Sequence, residues 1–367
     1  MLTYSENLLR RQDVNNIELP PINCTWLHDM TDDTGILQHA RSSIGDRREG
    51  YTTDDNARAL LATLRYHELY GGHEALRLAR IYLSFLLYTQ KKDGRLHNFI
   101  GYDHSFLDEE GSDDSLGRVL WVCGYCQDPS IPEDFRLAAK EIFDRGLTWA
   151  LKSSSPRTQA FTMLGLYHYA KAFPQDMNPP LNMIELADRL CKIYRKTSTP
   201  TWQWFEPYLT YANSRLPHAL LRAHQTTGKK DYLHIAEEAL AFLAAKDIVQ
   251  DVYQPVGNQG WYKRGGKKSL YDQQPLEASC MVEASSTAFQ VTGKKMYSEM
   301  AWTSFAWFMG KNTDGVMVYN PVTGGSHDGI SDSGLNQNQG AEAGLSYLLA
   351  RLEMDVLNKC ESEISLK

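Results

Sequence analysis

The sequence predicts an all-α fold, an (α/α)6 toroid with an inner ring of six helices inside an outer ring, from three observations. Six times a short polar loop rich in Asp, Asn, Gln and Gly runs directly into a helix-like stretch whose first turn is small or apolar. Most of these junctions start roughly fifty to sixty-five residues apart, about one helical hairpin with its loops. Between them lies a second series of stretches, each with a one-sided apolar stripe.

The inner series reads TTDDNARALLATL from Thr52, GSDDSLGRVLWV from Gly111, SSPRTQAFTMLGLY from Ser154, LTYANSRLPHALL from Leu209, YDQQPLEASCMV from Tyr271 and NQNQGAEAGLSYLLA from Asn336. These stretches are rich in Ala, Gly and Ser, as in Ala278 to Ala288 and Gly340 to Ala350, so neighbours are expected on several sides. The outer series spans residues 73–89, 134–151, 181–195, 232–245 and 297–310. His73 to Thr89 places Ala75, Leu78, Ala79, Tyr82, Leu83 and Leu86 on one face, and Tyr232 to Ala245 does the same with Ile235, Ala236, Ala239, Leu240 and Leu243. Ser155 before Pro156 fits an N-cap and first helical residue, while Gly71-Gly72, Gly228 and Gly293 fit helix stops. The sixth outer helix falls either at Ser5 to Arg11 or at Thr34 to Ser42. Because the inner helices share one polarity, their N-terminal loops are expected to gather at one end of the barrel.

Residues 1–24 read as an N-terminal extension able to pack as an outer helix, 25–358 as one barrel domain and 359–367 as a tail. The hydrophobic share of 42% supplies a large core. No apolar run approaches the roughly 20 residues that span a bilayer, and the N-terminus lacks the apolar segment of a signal peptide, so a cytoplasmic protein without a membrane partner is expected. The net charge of −7, with no basic stripe, argues against nucleic acid. Cys123-Gly-Tyr-Cys126 has redox spacing but lies within a helix rather than after a strand, and reads as buried small hydrophobes. There is no HExxH and no second CxxC; no metal and no cofactor are expected.

Carboxylates and aromatics carry the candidate chemistry. Asp32-Asp33, Asp54-Asp55, Asp113-Asp114, Glu206, Asp272, Glu277, Asp328 and Glu342 fall in or near the predicted loop end. An Asp before a helix is ordinarily an N-cap, and that reading is preferred for Asp113-Asp114. Around Asp54-Asp55, the string Asp46-Arg47-Arg48-Glu49-Gly50-Tyr51 packs more charge than capping requires, and function is preferred. Between Thr201 and Asn213 stand Trp202, Trp204, Glu206, Tyr211 and Asn213, a mixture that suits stacking on sugar rings and bonding to hydroxyls. A carboxyl in such apolar company is expected to have a raised pKa, as a general acid at neutral pH requires. Trp261, Asp272, Gln273, Gln274, His327, Asp328, Asn338 and Gln339 add amide, imidazole and carboxylate partners for a polyol.

Acidic loop ends on inner-ring repeats resemble the six-hairpin glycosidase superfamily, whose (α/α)6 barrels include glycoside hydrolases, unsaturated-uronyl hydrolases and, with a related barrel, sugar 2-epimerases. Three strings, Thr31-Asp32-Asp33-Thr34-Gly35-Ile36-Leu37-Gln38-His39-Ala40, Gly50-Tyr51-Thr52-Thr53-Asp54-Asp55-Asn56-Ala57-Arg58-Ala59-Leu60 and Asn338-Gln339-Gly340-Ala341-Glu342, resemble more closely a bacterial group often labelled glycosyltransferase-associated. The same module occurs there alone or behind a glycosyltransferase domain, near mannoside-processing genes. The resemblance covers the chain from about Thr25 onward. Alternating strands and helices with Gly-rich turns, the mark of a nucleotide-sugar domain, are not seen in this chain.

The leading expectation is a glycoside hydrolase, or a phosphorylase relative, acting on a short mannose- or glucose-containing oligosaccharide with inversion. Glu206 is assigned as general acid, and Asp54 or Asp55 as base because Arg47, Arg48 and Arg58 are near in sequence; Glu277 is the reserve for either role. An inverting pair stands roughly 6.5–9.5 Å apart, and Asp54, Glu206, Asp272 and Asp328 are expected around one cavity. A sugar 2-epimerase is the first alternative; the resembling barrels use paired histidines near the axis, and His218 and His327 are the candidates. A non-catalytic glycan-binding barrel is the second.

Overall fold

A computed structural model describes residues 18–365. A short helix α1 (Thr25–Asp29) precedes the ring. The inner helices are α2 (Thr53–Tyr70), α4 (Asp113–Tyr125), α6 (Pro156–Ala172), α8 (Arg215–Thr227), α10 (Pro275–Thr292) and α12 (Ala341–Ser365). The outer helices are α3 (His73–Thr89), α5 (Glu133–Ala150), α7 (Asn178–Thr197), α9 (Lys230–Asp247) and α11 (Lys295–Phe305). Each inner helix packs on the next, and α12 closes against α2, giving the predicted (α/α)6 toroid.

Burial follows the two residue patterns. Every residue of α10 from Pro275 to Phe289 is buried, as small side chains allow for a helix touched on several sides. On α3 only the predicted stripe, with Phe85 and Thr89 added, is buried. The tightest inner contact is between α4 and α6, where a Cβ on Gly124 or Gly165 would run into the backbone of the facing helix. Gly228 and Gly293 end α8 and α10 in the left-handed conformation, with φ of 71° and 68°.

Helix entries depart from the expectation that Asp113-Asp114 supplies a cap, and the entry at Asp54-Asp55 is capped by a hydroxyl too. Thr52 Oγ1 accepts from Asp55 N–H at 3.3 Å and Ser112 Oγ from Ser115 N–H at 3.1 Å. A hydroxyl already at the N-cap satisfies the orphan donor, and the carboxylates that follow are released for other contacts. Ser155 caps α6 as expected, with Pro156 first in the helix.

The two proposed sites for a sixth outer helix fare differently. Ser5 to Arg11 lies outside the described residues. Thr34 to Ser42 is not helical: it makes bridges from Ile36 and Leu37, then a two-residue strand, Ala40–Arg41, paired with Ile44–Gly45. Beside it α1 lays Trp26 against Gly344 of α12, and Trp26 Nε1 donates to the Gln339 carbonyl at 2.9 Å. The helix α12 continues to Ser365, so residues 359–365 extend it. The remaining strands among the described residues are short antiparallel pairs in the long loops at the N-terminal end of the inner ring.

Candidate functional site

The loops before α2, α4, α8, α10 and α12 surround the N-terminal end of the inner ring, here called the upper mouth. A cavity of about 330 Å3 opens there, lined by Asp54, Asp55, Arg58, Gln274, Asp328 and Glu342, with His39, Asn98 and Phe99 at its edge. Four carboxyl groups thus meet at one opening because α2 and α12, the first and last inner helices, are neighbours in the closed ring.

Arg58 organises them. Its Nη1 donates to Asp55 Oδ1 at 2.7 Å and Asp54 Oδ2 at 3.1 Å, and its Nη2 to Glu342 Oε2 at 2.6 Å. Arg118, from the first turns of α4, approaches Asp54 at 3.7 Å. Burial works against the charge on Asp54, but Arg58 and Arg118 hold its carboxyl below the ordinary carboxylate range. Asp55 goes the other way: burial, reinforced by the Asp54 charge, pushes it up to about 7. Thr52 Oγ1 donates to its other oxygen at 2.7 Å. Burial also raises Asp328, which accepts the Gly340 N–H at 2.7 Å. One mouth therefore holds carboxyl groups driven in opposite directions, the condition for a proton donor and an ionised partner to coexist at neutral pH.

Asp113 and Asp114 do different work. Ser153 Oγ donates to Asp113 at 2.6 Å; Ser155 Oγ at 2.8 Å, Thr158 Oγ1 at 2.7 Å and Tyr211 O–H all donate to Asp114. Those hydroxyl bonds outweigh burial and keep Asp114 low. The pair ties α4 to α6 and to the loop before α8.

The segment around Glu206 differs from its reading in sequence. Trp202 and Trp204 are buried, packed against Phe242 at 5.1 and 6.2 Å between ring centroids, so neither offers a face to a sugar. Glu206 is not in apolar company: Arg157 Nη1 donates to it at 2.9 Å, with both side chains buried, and it does not line the upper cavity. The same guanidinium lies 4.7 Å over the Tyr211 ring. Tyr211 and Trp261 stay half-exposed with centroids 6.4 Å apart, leaving them as the accessible aromatic pair of this wall. Asn213 is buried, donating to Glu277 at 3.1 Å and accepting from Thr210 N–H at 3.0 Å. Glu277 accepts the Ala212 and Asn213 N–H groups, and burial pushes its carboxyl up to about 7.

The other predicted residues are scattered around this frame. Gln274, the N-cap of α10, joins Asp328 at the cavity. Gln273 is buried, with Trp307 Nε1 donating to it at 2.9 Å and its own amide donating to Thr313 at 2.6 Å. Gln339 is likewise buried and accepts from Thr323 at 2.7 Å. Asp272, half-exposed with φ of 51°, is not part of the cavity lining. Asp32 accepts from Tyr51 O–H at 2.7 Å and from the Thr34 N–H at 2.9 Å, fixing a turn, and Tyr51 itself is buried. Asp33 and Arg48 are exposed on the rim, Arg48 bonding Asp46 at 2.9 Å. Asn338 accepts the Ser42 N–H at 3.0 Å, and His327 Nδ1 lies 3.2 Å from the Gln337 carbonyl. His218 is buried in α8, 3.2 Å from Arg215 and 3.1 Å from Thr287, and it borders a cavity at the other end of the barrel, so it does not meet His327. Cys123 and Cys126 are buried, and burial raises both thiols. No group of three or more His, Cys, Asp or Glu side chains among the described residues is placed to hold a metal ion, and none of their helices is long and apolar enough to cross a membrane.

Arg118, Asn98 and Phe99 were not singled out in the sequence. Arg118 carried a usable signal, since both Asp-Asp pairs are followed by an arginine one turn into the helix, Arg58 and Arg118. Asn98 and Phe99 reach the mouth from the loop after α3 and carried none.

Solved structures share the double ring. A cellobiose 2-epimerase from Bacillus thermoamylovorans matches with a TM-score of 0.71 at 11% identity, over 96% of this chain and 100% of that one. A D-mannose isomerase matches with a TM-score of 0.71 at 12% identity, over 97% and 98%. An α-1,6-mannanase from Salegentibacter sp. matches with a TM-score of 0.61 at 12% identity, over 97% and 100%. At these identities the likeness is one of fold. No family model matches the sequence, and no curated protein does either.

Proposed function

We propose that this protein is a carbohydrate-active enzyme that hydrolyses a glycosidic bond of a neutral mannose- or glucose-containing oligosaccharide at the upper mouth. The observation that carries the reading is the divergence of the carboxyl groups in one cavity, Asp54 lowered by two arginines and Asp328 raised by burial. Asp328 is the proton donor to the leaving oxygen, and Asp54 the base that activates water. This assignment keeps Asp54 from the sequence reading and moves the acid role from Glu206, which Arg157 occupies, to Asp328. Asp55 and Glu342 complete the shell of Arg58. Four carboxyl groups against two arginines leave the mouth acidic, which favours a neutral sugar and water over a phosphate co-substrate. A mannanase of the same fold was captured with a mannotriose after inactivation at two adjacent aspartates, an arrangement to which Asp54-Asp55 is similar.

A panel of short mannosides and glucosides, followed by proton NMR of the nascent reducing end, tests the reading. Inverted product, lost in Asp54→Asn and Asp328→Asn, is expected. Retained configuration, or full turnover in both variants, refutes the assignment.

A second reading, sugar 2-epimerisation or isomerisation, is favoured by the higher fold similarity of the epimerase and the isomerase, 0.71 against 0.61 for the mannanase. Against it, His218 and His327 do not face a common cavity. Incubating free mannose, glucose and cellobiose in deuterated water separates the two: deuterium at C2 of recovered sugar supports epimerisation, and cleavage without it supports hydrolysis. Saturable sugar binding with neither outcome leaves a glycan-binding barrel.

A further inference from the structure

Between α3 and α4 the chain crosses the upper mouth, and Asn98 and Phe99 sit where it meets the start of α2. Phe99–Ile100 pairs antiparallel with Tyr51–Thr52, which sets Phe99 opposite Thr52, two residues before Asp54. The Thr53 N–H donates to the Asn98 carbonyl at 2.9 Å and the Leu107 N–H to the Phe99 carbonyl at 2.8 Å. Asp108 Oδ2 accepts the Asn98 N–H at 2.8 Å and the Phe99 N–H at 3.3 Å. Every backbone polar group of this dipeptide is thereby held, and both residues line the cavity on a fixed frame.

Three large aromatics of this loop are exposed, and two of them are already stacked. Phe106 lies on His97 at 4.0 Å and on Tyr88 at 5.0 Å, and Tyr102 lies on Tyr51 at 6.0 Å with Arg47 Nε donating to its hydroxyl at 3.0 Å. Phe99, 45% exposed, meets no ring and no cation among the described residues, and it is the one of the three that lines the cavity. Asn98 beside it is only 8% exposed. Its Oδ1 accepts from Ser115 Oγ at 2.8 Å and from the Asp54 N–H at 3.3 Å. A backbone N–H can only donate, which fixes the oxygen on that side and leaves Nδ2 as the other end. That NH2 group meets no hydrogen-bonding partner among the described residues.

An open aromatic face next to a spare neutral donor matches a pyranose, which offers C–H groups on one face and hydroxyl acceptors around its edge. We propose that Phe99 and Asn98 form a subsite for one hexopyranose unit of the substrate, the sugar ring lying on Phe99 and one hydroxyl accepting from Asn98 Nδ2. This rests on the carbohydrate reading of the upper mouth, though not on hydrolysis. The bond from Asn98 to the Asp54 backbone ties the position of that unit to the carboxyl group assigned as base.

Titration of the full chain with cellobiose and with a mannotriose tests it, by calorimetry or, where the probe is cleaved, through KM. Affinity should fall about tenfold in Phe99→Ala and nearly as far in Phe99→Leu, which keeps apolar bulk without the flat face, and it should return in Phe99→Trp. Unchanged denaturation midpoints in these variants separate lost binding from lost folding. In an asparagine-labelled sample, the side-chain amide resonances of Asn98, identified by their absence in Asn98→Asp, should shift saturably as the sugar is added. Binding that depends on Phe99 without any cleavage keeps the subsite and refutes hydrolysis. Cleavage with the same KM in Phe99→Ala keeps hydrolysis and overturns the subsite. The proposal is also overturned if neither saccharide binds the unaltered chain, or if the Asn98 resonances stay in place at saturation.

Discussion

At the upper mouth Asp54, Asp55, Asp113, Asp114, Glu277 and Glu342 all stand in the first turn of an inner helix. Around the cavity at the other end of the barrel the inner helices present Arg65, Lys171 and Arg222 together with Glu68 and Glu353. Six helices pointing the same way align their dipoles, so N-terminal ends favour carboxylates and C-terminal ends favour cations, each by roughly 0.3–1 kcal/mol. Arg58, Arg118 and Arg215, with Trp121, fill the axis between. The contrast teaches that the ring biases the charge at each mouth without fixing it. What distinguishes a candidate site within it is how completely the local partners cancel that charge: Asp114 is saturated by hydroxyl donors, whereas Asp54 and Asp328 border open space.

The largest effect that would break this picture is at Asp54. Asp54→Asn should lower kcat by about 10²–10⁴-fold while sugar affinity is largely kept. Initial rates beside calorimetry decide it, and undiminished turnover moves the reaction away from the upper mouth.

Next comes the ion pair between Arg157 of α6 and Glu206 in the loop before α8. Arg157→Met strands Glu206 and should destabilise the fold by about 3–5 kcal/mol, and adding Glu206→Met should recover most of the loss. Denaturant titration of the two variants measures this. Should Glu206→Gln abolish turnover at unchanged stability, the acid role returns to Glu206.

A smaller effect concerns pH. The folded Glu277 carboxyl sits at about 7 against an ordinary 4.5, so the folded chain keeps a proton that the unfolded chain releases. Its contribution to stability is full below about 4.5 and is lost as pH rises through about 7. Glu277→Gln should flatten that part of the stability curve, read from denaturation midpoints at a series of pH values. Smallest of all, exhaustive chelation should leave turnover unchanged. Activity lost to chelation and restored by a divalent ion would mean that the carboxylates act as metal ligands.

The inner ring was legible because its signals are local: a polar loop, a small-residue first turn and a glycine stop lie within one segment. So was the one-sided burial of α3, read from a 3.6-residue stripe. The string from Trp202 to Glu206 was misread for the opposite reason. Whether an aromatic faces solvent or core depends on what covers it, and Phe242 comes from another hairpin; Arg157, the partner of Glu206, is 49 residues away. The hydroxyl partners of Asp114 at Ser155 and Tyr211 are 41 and 97 residues away. Thr52 and Ser112 as caps were within reach of a sequence reading, since a hydroxyl already at the N-cap removes the need for the aspartates behind it.

The bond from Arg58 to Glu342 joins residues 284 apart in the chain, and Arg65 to Glu353 spans 288. A ring sealed by such distant partners is slow to nucleate, because the entropy of closing the longest loop is lost before these contacts can form. During synthesis the upper mouth does not exist until α12 has emerged and docked. Any earlier intermediate is an open arc with the apolar sides of α2 and α10 uncovered, which makes that seam the step at which a chaperone would matter most.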